Sequence, residues 1–272
     1  MRSHLHHLSA GFCLAAASAL NGGLALSDEG PGHPTGDVSV YAGALGVSDN
    51  IEDRVFAGMF ANAYLESGIG FHLDLSGQWR EEDAGFGALG ISAELSPGIR
   101  PKIQIGTSTD NDGILPELFL DGSARVDLGS ATGTILDVGS AYRDFRNGVE
   151  EISIRGEVIK YFSPFSDGSF MIGQAYVSGI HADPGSNIGW EARAGVTYVV
   201  PSAWTVGVTV AGGQMAYDDV TTLVGVENDF LALRPHISFS LSDRLELFTQ
   251  GEFLTSDEYD IAGGLAGIKI KF

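Results

Sequence analysis

Seven basic residues sit where an extended chain would turn them toward one face. Arg100 and Lys102 stand two apart in "IRPKIQIG", and Arg155 and Glu157 stand two apart in "EISIRGEV". Glu191 and Arg193 repeat the spacing in "NIGWEARAGVTYVV", while Arg125, Arg143 and Arg234 lie singly among apolar neighbours. A guanidinium or ammonium inside an apolar strand needs water or a carboxylate partner, because an unpaired charge is costly to desolvate. Glu94, Asp137, Glu157, Glu191, Glu246 and Glu252 supply such carboxylates. Two chemistries follow. The cations and acids can pair and stiffen a wall. Alternatively, an Arg-rich stripe can line a pore and select an anionic or sugar-like solute.

Other reactive arrangements are weaker. His72 with Asp74, His181 near Asp183, and His236 with Ser238 have the two-residue spacing of same-face neighbours in a strand. That spacing is common by chance. The chain has no Gly-x-Ser-x-Gly elbow, no His-Glu-x-x-His site and no phosphate-binding loop. "STDNDG" places Asp110, Asp112 and Gly113 as in a calcium loop, but Ser108 opens it and Phe119 stands where the bidentate Glu belongs. The sequence therefore assigns no catalytic residue, metal or cofactor.

The elements that must hold these side chains are strands. In "GFHLDLSGQWR", Phe71, Leu73, Leu75 and Trp79 alternate with His72, Asp74, Ser76, Gln78 and Arg80. "LALRPHISFSL" sets Leu231, Leu233, Ile237, Phe239 and Leu241 against Arg234, His236, Ser238 and Ser240. Period two over this length matches a tilted bilayer-crossing strand of about 9–11 residues. Charges at strand centres, opposite an apolar row, fit a closed barrel with lipid outside and water or paired charges inside. The fold expected is all-β, a transmembrane antiparallel up-and-down β-barrel of about fourteen strands, with twelve as the alternative. The strands are expected at about 38–46, 53–64, 69–80, 85–96, 99–108, 116–128, 133–145, 150–163, 168–181, 187–200, 203–214, 229–241, 244–255 and 259–272. The connections sort into a short, acid-poor set and an acidic set that alternate along the chain. This puts both termini on the periplasmic side and the acidic connections outside.

Residues 1–25 read as a cleaved signal peptide, with Gly23 and Ala25 as the small residues before the cut. Cys13 follows Phe12, which a lipoprotein signal does not allow. Residues 26–36 form a short polar lead-in, and 37–272 one barrel domain. Removing 1–25 takes away the only Cys and one Arg, moving the formal charge from −20 to −21. So acidic a chain will not bind nucleic acid through bulk charge. Its expected partners are outer-membrane lipid and lipopolysaccharide, and the chain is expected to be a monomer.

Trp79, Tyr142, Phe162, Trp190, Tyr198 and Trp204 fall near strand ends, as interfacial girdles require. The chain ends "GGLAGIKIKF": Ile268, Ile270 and Phe272 form an apolar row against Lys269 and Lys271. A terminal Phe on such a row resembles the signal by which barrel-assembly machinery recognises its clients.

One region goes beyond pattern. The "LSPG" turn, "LPELFLDGSARVDL", the Gly-x-x-Tyr-Arg-x-Phe run at 139–145 and "VEEISIRGEVIKYF" resemble the YaiO-like outer-membrane β-barrel family. The resemblance spans residues 54–250. It implies an outer-membrane barrel without an established catalytic constellation. The function expected is a narrow channel or a surface or structural component linked to envelope polysaccharide, with a barrel enzyme acting on envelope lipid as the alternative.

Overall fold

A computed structural model of the chain describes residues 35–48, 53–79, 83–110, 115–129, 132–146, 148–163, 165, 167–183, 187–215, 228–257 and 259–272. The expected signal peptide and most of the expected lead-in lie outside these residues. The chain forms β1 (Thr35–Val47), β2 (Arg54–Tyr64), β3 (Ile69–Trp79), β4 (Ala84–Ala93), β5 (Ile99–Ser108), β6 (Leu118–Asp127) and β7 (Thr134–Asp144). It continues as β8 (Glu150–Phe162), β9 (Phe170–Asp183), β10 (Asn187–Val200), β11 (Trp204–Met215), β12 (Asn228–Ser240), β13 (Leu245–Ser256) and β14 (Asp260–Lys271). Each strand pairs antiparallel with its sequence neighbours, and β1 pairs with β14 to close the barrel. All fourteen lie within three residues of the ends expected from the sequence.

Closure satisfies backbone groups that would otherwise face hydrocarbon. At the seam Asp37 sits opposite Lys271, and the register runs on to Val47 opposite Ile261. β1 begins at Thr35, ahead of the expected boundary, because Gly36 exchanges two backbone hydrogen bonds with Phe272, at 2.9 and 3.0 Å. The Phe272 ring lies over Gly36, where a Cβ would come within 2.8 Å of it. Both termini of the barrel are therefore at one mouth, here the termini mouth.

The outward rows are apolar and open. Leu89, Ile103, Ile154 and Ile188 are 63, 67, 68 and 72% exposed. Soluble monomers rarely carry contiguous apolar patches above a few hundred Å². A belt running around every strand is what a bilayer requires. Trp79, Phe162, Trp190 and Trp204 also lie on outward rows, and Tyr198 packs edge-on against Phe165 and beside Trp204.

The expected sorting of connections is only partial. At the mouth opposite the termini, 145–149 between β7 and β8 carries no acid, while Glu66, Asp167 and Asp243 stand in connections at the termini mouth. Length does not sort them either. β9–β10 and β13–β14 are joined by three residues each, as few as join β10–β11 at the other mouth.

Apolar side chains also line parts of the inner wall. Tyr41, Leu45, Phe56, Phe60, Phe248, Leu254, Ile261 and Leu265 form one buried cluster on β1, β2, β13 and β14. Tyr41 and Phe60 stack there, with ring centroids 5.3 Å apart. A second cluster holds Phe86, Leu115, Phe119 and Phe145, and a third holds Ile135, Ile159 and Ile172.

Candidate functional site: the inner wall

Period-two alternation and the register fix which side chains face inward. Arg100 and Lys102 on β5 stand opposite Arg125 and Ser123 on β6. Arg125 stands opposite Asp137 on β7, and Asp137 opposite Glu157 on β8. The same row continues through Tyr176 on β9 to Arg193 on β10. Arg143, Arg155, Glu191 and Arg234 share this inner parity. All nine residues named from the sequence thus stand on the inner face of one wall.

Most of these cations meet a carboxylate. Arg155 holds Asp121 with two nitrogens, at 2.6 and 2.9 Å. Arg143 pairs with Glu151 and stands over the Phe119 ring. Arg193 is 3.0 Å from Glu191 and 3.8 Å above Tyr176. Arg234, only 4% exposed, donates from Nε to both oxygens of Glu252 at 2.9 and 2.8 Å. Its Nη1 also lies 3.6 Å from Glu191. Arg100 meets Glu94 at 3.2 Å, and Lys271 meets Glu246 at 3.2 Å. Among the described residues, Lys102 and Arg125 have no carboxylate at ion-pair distance. Lys102 instead feels Asp121, Asp74 and Asp137 from farther away.

Two of these pairs cross an intervening strand, and glycine makes room for the first. Arg155 on β8 reaches Asp121 on β6 by lying over Gly139 of β7, where a Cβ would come within 2.9 Å of its Nη2. Glu191 on β10 approaches Arg234 on β12 across β11. His236 uses the same device. It lies over Gly207, where a Cβ would meet its ring at 2.5 Å, and bonds Thr197 Oγ1 at 3.1 Å.

The histidine pairings that sequence spacing would allow do not form. His236 bonds Thr197 rather than Ser238. His181 stands opposite Ile188, on the outward row. His72 shares a face with Asp74 but hydrogen-bonds Asn62 Oδ1 through Nδ1 and Ser92 Oγ through Nε2, both at 2.9 Å. Asn62 in turn donates to Asp37 at 3.3 Å. The reason is geometric: same-strand neighbours two apart are farther away than cross-strand neighbours. Asp110 closes its own loop, accepting the Leu115 N–H at 2.5 Å. Asp112 lies outside the described residues.

Residues that the sequence did not single out include Asp121, Glu151, Asp37, Asn62 and Ser92, and the aromatic Tyr41, Phe56, Phe60 and Phe248. The wall is therefore divided. Charge concentrates on β5–β8, β10 and β12, while β13, β14, β1 and β2 carry the apolar sector. Inside that sector a cavity of about 30 Å³ is lined by Tyr41, Phe56, Gln78, Gln250 and Glu252. A water needs about 10–15 Å³ of space for its centre, so this cavity has room for only a few waters. On the last strand, Ile268, Ile270 and Phe272 face outward at 45, 52 and 52% exposure.

The chain matches no protein-family profile and no curated protein. Its fold has solved relatives. One is a bacterial polysaccharide outer membrane secretin, with a TM-score of 0.57 at 7% identity over 88% of this chain and 98% of that one. Another is the COG4313 outer membrane channel from Pseudomonas putida F1, at 0.56 and 10% identity over 92% and 100%. A third is the outer membrane protein Omp33 of Acinetobacter baumannii, at 0.53 and 11% over 88% and 99%. The chain has the fold of a bacterial outer-membrane β-barrel.

Proposed function

We propose that this chain is exported through its signal peptide, is assembled in the outer membrane as a monomer, and acts as a narrow channel. The carrying observation is the charged inner wall, set on strands whose outer rows are apolar. In this reading most wall cations are structural, each neutralised by a carboxylate. Lys102 and Arg125 then act on the solute, an anionic or sugar-like molecule, beside Arg100. The channel name of the Pseudomonas putida relative supports the reading through fold alone. The YaiO-like resemblance, and the polysaccharide in the name of the secretin, favour a saccharide of the envelope as the solute. Ile268, Ile270 and Phe272 serve as the assembly signal, and the acidic connections meet lipopolysaccharide through divalent cations.

The test is conductance of the purified barrel in planar bilayers. Small, steady steps are expected, with weak ion selectivity because the wall charges are largely matched. Lys102→Glu with Arg125→Glu should shift the reversal potential toward cations in a salt gradient. Silence under all voltages, from protein that migrates as a folded barrel on unheated gels, would sink the channel reading.

A further inference from the structure

Near the termini mouth, four polar side chains form an unbroken hydrogen-bond line across β1, β2, β3 and β4. Asp37 accepts from Asn62 Nδ2 at 3.3 and 3.5 Å, Asn62 Oδ1 meets His72 Nδ1 at 2.9 Å, and His72 Nε2 meets Ser92 Oγ at 2.9 Å. The direction of every proton in this line follows from its first member. An ionised carboxylate only accepts, so Asn62 must turn its NH₂ toward Asp37 and its oxygen toward His72. That oxygen only accepts, so Nδ1 of His72 carries the hydrogen. Nε2 is then bare, and the Ser92 hydroxyl donates to it. This is the polarity of a nucleophile, a general base and an orienting group.

Ser92, 3% exposed, sets its Oγ over Gly70 beside the Tyr64 ring, and the Gln104 side chain lies against Gly90, which faces His72. The Tyr64 ring meets the imidazole edge-on at 5.8 Å, which fixes its plane. On the other side, Lys102 is the cross-strand partner of Ser92 from β5, and Arg100 stands beside it over Tyr64.

We propose that Ser92 and His72 form a hydrolytic centre on the inner wall, positioned by Asn62 and Asp37, that cleaves a water-soluble anionic carboxylic ester. The site faces the interior rather than lipid, which sets the solubility of the substrate. Arg100 and Lys102 set its charge. Ser92 Oγ adds to the ester carbonyl carbon as its proton passes to His72 Nε2. The carbonyl electrons move to oxygen, where the Lys102 ammonium offsets the charge. Collapse breaks the ester C–O bond, and the leaving alcohol takes the proton from Nε2. Water then adds to the acyl carbon by the same route, releasing the acid and restoring the Ser92 hydroxyl. The inference stands whether or not the barrel conducts.

The experiment is labelling of the refolded, detergent-solubilised barrel with a fluorophosphonate probe, with peptide mapping by mass spectrometry. Attack by Ser92 displaces fluoride and leaves a phosphonyl ester on that residue. Wild type should be labelled at Ser92, and Ser92→Ala should not. His72→Gln should slow labelling by about 10²-fold or more, the usual share of a general base. Asn62→Leu should slow it comparably. The exchange Asp37→Asn with Asn62→Asp keeps an acceptor facing Nδ1 and should restore labelling to within about threefold of wild type. A purely structural polar line would not distinguish the last two variants. Folded wild type without label on Ser92, or equal labelling of His72→Gln, overturns the proposal.

Discussion

Replacing Glu252 with Ala tests whether the inner wall is a desolvated ion-pair lattice or a hydrated surface. Arg234 and Glu252 are 4 and 7% exposed, and Arg234 Nε reaches both carboxylate oxygens. Removing one member of such a pair costs about 3–5 kcal/mol when the remaining charge is stranded. Arg234 keeps Glu191 at 3.6 Å, so the expected loss is smaller, about 2–3 kcal/mol, near that of a charge-assisted hydrogen bond. Glu94→Ala is the control. Its pair with Arg100 has a similar distance, 3.2 Å, but the Arg100 and Glu94 side chains are 41 and 40% exposed. Exposed pairs contribute about 0–1 kcal/mol and weaken with salt.

The assay is denaturant unfolding of the barrel refolded into lipid vesicles, followed by tryptophan fluorescence. Trp79, Trp190 and Trp204 are 49, 51 and 37% exposed on outward rows, so they report withdrawal from lipid and not the mutated sites. Unchanged slopes with a lower midpoint for Glu252→Ala would isolate stability from compactness. Equal losses for the two substitutions, within about 0.5 kcal/mol, would show that burial does not govern these pairs, and the reasoning from a stranded buried charge would fail.

Other substitutions probe the remaining parts of the wall. Gly207→Ala should destabilise by about 1–3 kcal/mol through overpacking, because its Cβ would lie 2.5 Å from the His236 ring and 2.6 Å from Thr197 Oγ1. Gly156→Ala, with nothing within 4 Å, should be neutral in the same unfolding titration. Leu89→Arg, in the middle of an outward row, should cost about 2–4 kcal/mol, whereas Ile270→Arg near the termini mouth should cost about 0–1 kcal/mol, by the depth dependence of charge on a barrel's lipid face. Deleting Phe272 should reduce membrane yield in cells more than any inner-wall substitution does, measured by quantitative blotting of the folded band; normal yield would remove the assembly-signal reading.

Much of the fold was legible because the bilayer imposes one rule on every strand. Leu231, Leu233 and Phe239 must face lipid, so Arg234, His236 and Ser238 must face inward whatever their partners are. Parity therefore placed the cations named from the sequence, although Arg54, buried on the inner row of β2, was not among them. It could not place their partners. Arg155 finds Asp121 two strands away, and neither their separation of 34 residues nor any local motif marks the pair. The barrel register decides it, and the register depends on the stagger of all the strands together. The same-strand histidine pairings fail for the same reason. His72 and Asp74 are near in sequence, yet the contacts made by His72 run across strands to Asn62 and Ser92.

One signal for these cross-strand contacts is nevertheless present in the sequence. Inward glycines are expensive in a strand, since they forfeit packing and backbone order. Gly139 and Gly207 are retained where a long side chain from the next strand must lie flat to reach the strand beyond. An inward glycine flanked on neighbouring strands by Arg or His and by an acceptor is thus a readable mark of a bridging contact. Gly70 and Gly90 flank the Ser92–His72 bond in a different way, since that bond joins the neighbouring strands β3 and β4. Gly139 and Gly207, which look like dilution of the strand pattern, are positions at which the inner wall gains contacts spanning more than one strand pair.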